Sequence, residues 1–127
     1  MKLNEISGTV IGCAIKVHRT LGPGLLESAY EGCLVYELSK EGLNCQTQMK
    51  LPVIYDGVKI DTGYRVDVIV AKSVILEIKT VKKIIPIHEA QILSYLKMSR
   101  LKLGLILNFN TMILKSGIKR IVNNFDQ

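Results

Sequence analysis

The chain has no tryptophan, two phenylalanines, three prolines and three cysteines in 127 residues. Cys13, Cys33 and Cys45 are odd in number and lack CxxC spacing. That argues against both a disulfide framework and a structural zinc site. Cys13 and Cys33 lie among apolar residues and read as small core hydrophobes, and free thiols fit a reducing cytoplasm. No apolar run approaches the ~20 residues of a membrane span. The N-terminus, MKLNEISGTV, has a charge and a glycine where a signal peptide needs an unbroken apolar core. The expectation is a cytoplasmic protein with no membrane partner. Repeats, low-complexity stretches and linkers are also missing, so one domain is expected over residues 1–127.

Acid is scarce too. Eleven Asp and Glu face seventeen Lys and Arg, for a net charge of +6. An excess of this sign raises the odds of a polyanionic partner such as nucleic acid, through long-range attraction and counterion release, although basic surfaces also occur on proteins that only need solubility. What the chain has in plenty is apolar residues, 48% of the total, enough to bury a core and exclude disorder.

The apolar residues recur first with a helical period and then with a period of two. Ile6, Val10, Cys13, Ala14, Val17 and Leu21 predict a helix capped by Asn4 and ended by Gly22-Pro23-Gly24. A second helix is expected from about Leu25 to Lys40, with Leu26, Tyr30, Cys33, Leu34 and Leu38 as its buried stripe and Gly42 as its stop. Strands are then expected over Cys45–Tyr55, Val58–Val70 and Val74–Thr80, the first two joined by a hairpin turn at Asp56-Gly57. Pro86 opens a third helix, roughly Ile87–Arg100. Leu103–Asn108 reads as a buried strand, and Met112–Val122 as one more at an edge. The fold class is therefore α/β with a mixed sheet flanked by helices, in which a right-handed crossover pairs the strands on either side of the third helix in parallel.

Charge interrupts the apolar strands at few places. Residues two apart on a strand share a face, so Glu77 and Lys79 project together while Ile78 points away. A hairpin brings Asp67 beside them. A cross-strand salt bridge on a solvated face is the commoner fate of such residues. Here Val66, Val68, Ile69, Val74, Ile75 and Ile78 surround the charges, and burial among these is costly unless the charges pair or bind metal. Two carboxylates make a hard oxygen site suited to Mg²⁺ or Mn²⁺. The lysine can orient or help deprotonate an attacking water, or oppose negative charge in the transition state.

At this point the sequence resembles the PD-(D/E)XK nuclease superfamily, and more closely its GxxExxY group. The naming motif reads Gly24-Leu25-Leu26-Glu27-Ser28-Ala29-Tyr30. The acidic strand residue falls on Asp67 after Gly63-Tyr64-Arg65-Val66, the ExK element on Glu77-Ile78-Lys79, and a RecB-like QxxxY on Gln91 to Tyr95. A closing Leu-Gly-Leu-Ile-Leu-Asn-Phe follows. The resemblance implies a restriction-endonuclease-like α-β-β-β-α-β core. It implies Asp67 and Glu77 as ligands of the catalytic Mg²⁺ or Mn²⁺, Glu27 as a further acid near the metal, and Lys79 as the catalytic lysine. Gln91 and Tyr95 would line the site from the third helix, where their i, i+4 spacing puts both on one face. Tyr30 reads as a core residue beside Glu27, and a lone histidine such as His88 or His18 reads as structural.

The function expected is metal-dependent hydrolysis of phosphodiester bonds, with DNA as the expected substrate. The rival, from another class, is a protein that keeps the fold without turnover and binds nucleic acid or acts as a scaffold. A homodimer is a third expectation, if the substrate groove forms only between two copies.

Overall fold

A computed structural model describes residues 1–124; the last three residues of the expected domain lie outside them. Helix α1 (Leu3–Leu21) buries Ile6, Val10, Cys13, Ala14 and Val17 of the stripe its periodicity predicts, while Leu21, in its last turn, is exposed. Its cap differs from expectation. The N-cap is Lys2, whose N–H donates to Glu5 Oε1 at 3.3 Å. Asn4 lies inside the helix, where its Oδ1 accepts from Arg120 Nη2 at 2.7 Å. A tertiary partner from the other end of the chain has taken the group that the sequence offered as a cap.

Helix α2 (Glu27–Lys40) starts two residues later than the apolar pattern suggests. Leu26 is 77% exposed, and Cys33 is exposed as well. The reason is Tyr30, which is fully buried. Its hydroxyl donates to Gly22 O at 2.6 Å and accepts the Leu25 N–H at 3.0 Å, holding residues 22–25 as a turn. The buried stripe is then Tyr30, Leu34 and Leu38, at i, i+4, i+8, and Cys33 falls outside it.

The two long strands expected next are each broken. β1 (Cys45–Lys50) and β2 (Val53–Tyr55) are separated by Leu51-Pro52, and Pro52 cannot donate to a ladder. β3 (Val58–Ile60) and β4 (Arg65–Val70) are separated by a turn in which Asp61 Oδ1 accepts the Gly63 N–H. The breaks lie opposite one another. The Asp56-Gly57 hairpin, with φ of 54° and 75° at its turn, therefore leaves the main sheet as a two-stranded tip.

The main sheet also takes β5 (Val74–Lys79), β6 (Leu103–Asn108) and β7 (Ile118–Val122), in the order β1-β4-β5-β6-β7. Its pairs are antiparallel except β5–β6, which is parallel across α3 (Pro86–Ser99), as the crossover argument expects. The edge strand β7 is shorter than expected, because residues 114–117 form a 3-10 turn before it.

The sheet is covered on both faces. Val68, Val70, Val74, Leu76, Ile78, Leu105 and Leu107 pack with α1 and α2. Ile75 and Ile106 pack with Ile92, Tyr95 and Leu96 of α3. Gly104 permits the close approach of α3, since a Cβ there would lie 2.8 Å from Ile92 Cδ1. The result is a mixed α/β fold with a five-stranded mixed sheet flanked by helices, consistent with the restriction-endonuclease-like core expected. No described helix is long and apolar enough to cross a membrane.

Candidate metal centre

Strands β4 and β5 separate at one end, and the charged residues gather there. Their ladder runs from Val70↔Val74 to Val68↔Leu76 and stops. The same register would pair Asp67 with Glu77. Instead Asp67 Oδ2 accepts the Ile78 N–H at 2.8 Å. On its other side, the β1–β4 ladder skips the Gln48–Asp67 position, and Gln48 has φ of +52°. Asp67 thus sits where the pairing is interrupted on both sides. The strand also changes face there: Val68 and Val70 pack toward α1 and α2, whereas Val66, of the same parity, packs with Ile92 and Tyr95.

Two residues further on, just past the end of β5, the Thr80 N–H donates to Glu27 Oε2 at 3.1 Å. Asp67 and Glu27 thus hold alternate amides on one side of the strand end, beyond the reach of the ladder. Lys79 lies between them. Its carbonyl, on the other side, accepts the Phe109 N–H at 2.9 Å. The next turn is held by buried Asn108, whose Oδ1 accepts the Val81 N–H at 3.1 Å and whose Nδ2 donates to Val81 O at 2.9 Å. The β5 end is therefore gripped by side chains from β4, α2 and β6.

Glu77 is only 6% exposed, and its Oε1 has no hydrogen-bond partner among the described residues. Burial, then the neighbouring Asp67 carboxylate, pushes its carboxyl up to about 8, against a smaller lowering effect from Lys79. Lys79 is half-buried and forms no ion pair among the described residues. On α3, Tyr95 is 5% exposed, and its hydroxyl is raised by burial and then by Glu77, Tyr64 and Asp67. The Gln91 side chain hydrogen-bonds to it and acts in the opposite direction. Asp67, Glu77, Lys79, Gln91 and Tyr95 are thus brought into one neighbourhood.

Glu27 is less closely joined. Among the described residues no group of three or more His, Cys, Asp or Glu is gathered that could hold a metal ion. A two-carboxylate set of Asp67 and Glu77 still fits a hard divalent cation, since both supply oxygen and Glu77 leaves a buried oxygen without a partner. Water and substrate oxygens would complete the shell.

Three residues near this centre were given no role from the sequence. Glu31 on α2 is half-buried, and burial, then Asp67, raises its carboxyl. Gln48 Nε2 donates to Glu31 Oε1 at 2.9 Å. Tyr64 places its ring 6.2 Å from that of Tyr95, tilted by 53°. Only Glu31 had a usable signal, standing four residues after Glu27 on the same helix face. The remaining motif residues are structural. Tyr30 stacks on Phe109, centroids 4.4 Å apart and planes within 13°. His88 Nδ1 accepts the Ile85 N–H at the start of α3, and His18 Nε2 contacts Thr111 O at 2.7 Å.

A family model described as the PD-(D/E)XK nuclease superfamily matches residues 4–121. No curated protein and no solved structure gives a significant match.

Proposed function

The chain belongs to the PD-(D/E)XK nuclease superfamily, and on that footing we propose that it hydrolyses phosphodiester bonds in nucleic acid, DNA first, with Mg²⁺ or Mn²⁺ as cofactor. We place it in the GxxExxY group. That assignment is supported by distinct physical roles for the motif residues: Gly24 at φ +102°, Glu27 on the Thr80 amide, and Tyr30 pinning the turn between α1 and α2.

One observation carries the catalytic reading: the buried Glu77 carboxyl, whose Oε1 has no partner among the described residues, stands beside the carboxylate of Asp67. The carboxyl is hydrogen-bonded with Asp67, but a buried oxygen left over without a partner costs stability, and a cation there would remove that cost. Asp67 and Glu77 would hold the ion, Glu77 giving up its proton to do so. Bound there, the ion supplies Lewis acidity toward the phosphoryl oxygens and makes water a stronger nucleophile at neutral pH. Lys79 orients the attacking water and opposes the negative charge that grows on the phosphoryl group. Tyr95 retains its proton at neutral pH, since its hydroxyl is raised, and serves with Gln91 as a neutral donor toward the scissile phosphate. Glu27 acts through Thr80, fixing the strand end that carries Lys79.

The test is cleavage of single-stranded, duplex and branched DNA by the purified chain with Mn²⁺, Mg²⁺ or EDTA, beside Glu77→Gln and Lys79→Ala. Cleavage that requires the metal and is lost in both variants is expected. No cleavage of any substrate, or cleavage that survives both substitutions, refutes the reading.

A second reading, a nuclease fold that binds nucleic acid without turnover, draws on the lack of a third acid grouped with Asp67 and Glu77 among the described residues. It predicts salt-sensitive binding without a metal requirement. Calorimetry with Mn²⁺ separates the two, because an intact centre takes up the ion and Asp67→Ala does not.

A further inference from the structure

A cleft of about 790 Å³ beside the candidate centre lies between the β2–β3 tip and α3. Its lining is mostly apolar or aromatic: Val53 and Tyr64 on one side, and Ile87, Tyr95 and Met98 on the other. Tyr64 is 48% exposed and Ile87 66%, so the floor is presented to solvent and not sealed in the core. Tyr95 connects it to Glu77 and Asp67. At one end the cleft reaches Lys97. The same lysine also lines a neighbouring cavity of about 410 Å³ with Arg100, Lys102, Asn123 and Asn124. Among the described residues no acidic side chain lines that cavity, and the ion pairs lie elsewhere, at Glu37 and Glu89.

An apolar, aromatic trough leading from a phosphodiester site to a cluster of cations is a poor match for a double helix. A duplex turns its phosphates and base edges outward and keeps the faces of its bases stacked inside. It offers nothing to Tyr64, Ile87 or Val53. An unpaired strand offers both parts, π-faces for the tyrosines and phosphates for the cations.

We propose that the cleft between the β2–β3 tip and α3 receives the bases of an unpaired nucleic-acid strand, with the Lys97–Arg100–Lys102 cluster holding its phosphates. The inference rests on the nuclease reading of the adjoining centre and names the substrate class of that centre: single-stranded nucleic acid, or the splayed end of a duplex. Tyr64 is the stacking platform. Its position on the turn between β3 and β4 explains what the broken strands accomplish, since the breaks at 51–52 and 61–64 carry the tip off the sheet and open the trough.

The test is fluorescence anisotropy of the full chain in EDTA, with labelled oligothymidine, oligouridine, an abasic strand of equal length, and a matched duplex. Either unpaired strand is expected to bind at least about tenfold more tightly than the duplex or the abasic strand, the scale of one base stacked on an aromatic ring. A preference between oligothymidine and oligouridine, in either direction, agrees with the proposal, because both present a base face. Tyr64→Ala, and Tyr64→Leu, which keeps apolar bulk but loses the ring, should remove most of the preference. Lys97→Ala with Arg100→Ala should weaken all probes and flatten the salt dependence. Equal binding of duplex and single strand overturns the proposal. So does equal binding of abasic and intact strands, or a preference that survives both Tyr64 variants. No metal is present, so hydrolysis does not enter. A chain that cleaves nothing yet prefers unpaired strands keeps this inference and loses the nuclease reading. A chain that cleaves but binds duplex equally well does the reverse.

Discussion

The Asp67 carboxylate accepts the Ile78 N–H at 2.8 Å, just beyond the last pair of the β4–β5 ladder. A side chain there does what a main-chain carbonyl does along the rest of the strand. The consequence is that Asp67 and Glu77 are brought together by the same break in pairing.

Asp67 has two separable tasks, and two substitutions divide them. Asp67→Asn keeps an oxygen for the Ile78 N–H and should stay within about 1 kcal/mol of the parent in urea titration. Asp67→Ala leaves that amide without its acceptor, takes a hydrogen-bond partner from the Glu77 carboxyl, and should lose about 2 kcal/mol. Both variants should lose Mn²⁺ binding by calorimetry. An alanine variant as stable as the asparagine one would show that the clamp contributes nothing to the fold.

The pH dependence of stability follows from Glu77. Its folded-state value of about 8 stands above the ordinary 4.5. Between those two values the folded state holds a proton that the unfolded state has lost, so stability is fully present below pH 4.5 and is lost as the pH rises toward 8. The slope cannot exceed about 1.4 kcal/mol per pH unit for one such group. Urea midpoints in EDTA should therefore fall across this window, and Glu77→Gln should flatten the fall. Added Mn²⁺ should stabilise more at the alkaline end, because binding there displaces less proton. A metal-free midpoint that rises from pH 5 to pH 8 would contradict the burial of Glu77.

On the proposed function, Glu27 acts through the Thr80 amide and not on the substrate. Glu27→Ala frees the Thr80 N–H and loosens the strand end bearing Lys79. Misplacement of a catalytic group by about 1 Å can cost on the order of a hundredfold in rate. We expect kcat to drop roughly ten- to hundredfold while the Mn²⁺ affinity changes little, with Glu27→Gln recovering most of the loss. A metal affinity that collapses in Glu27→Gln would instead make Glu27 a ligand.

Tyr30→Phe isolates the turn from the centre. The variant keeps the stack on Phe109 but leaves Gly22 O and the Leu25 N–H without the hydroxyl. Losing hydrogen bonds at a fully buried residue should cost about 1 to 3 kcal/mol, read as a lower melting temperature. Metal binding should be unchanged. A variant as stable as the parent would remove the turn-pinning role given to this motif tyrosine.

Local rules made much of this molecule legible in advance. The period of the apolar residues decided which segments are helix and which strand, because each element must bury one stripe or face. The near-continuous apolar run of β5 and β6 announced a sheet covered on both sides. The two-residue alternation put Glu77 and Lys79 on one face, and the i, i+4 spacing put Gln91 with Tyr95. Other features depend on partners far along the chain and could not be seen locally. Asn4 has the chemistry of a cap, yet Arg120 claims its oxygen. Glu31 looks like a surface acid until Gln48 and Asp67 come beside it.

The constellation of Asp67, Glu77 and Lys79 divides along the same line. The sequence alone determined that Glu77 and Lys79 share a face, since that is a property of one strand's geometry. Only the tertiary structure decided how Asp67 reaches them. Strand parity from Val68 would have carried Val66 to the α1–α2 side, but the missing ladder pairs at Gln48 and Glu77 let the chain change face at Asp67. Pairing between strands is a non-local balance of hydrogen bonds and burial, and no pattern within β4 records where it gives way.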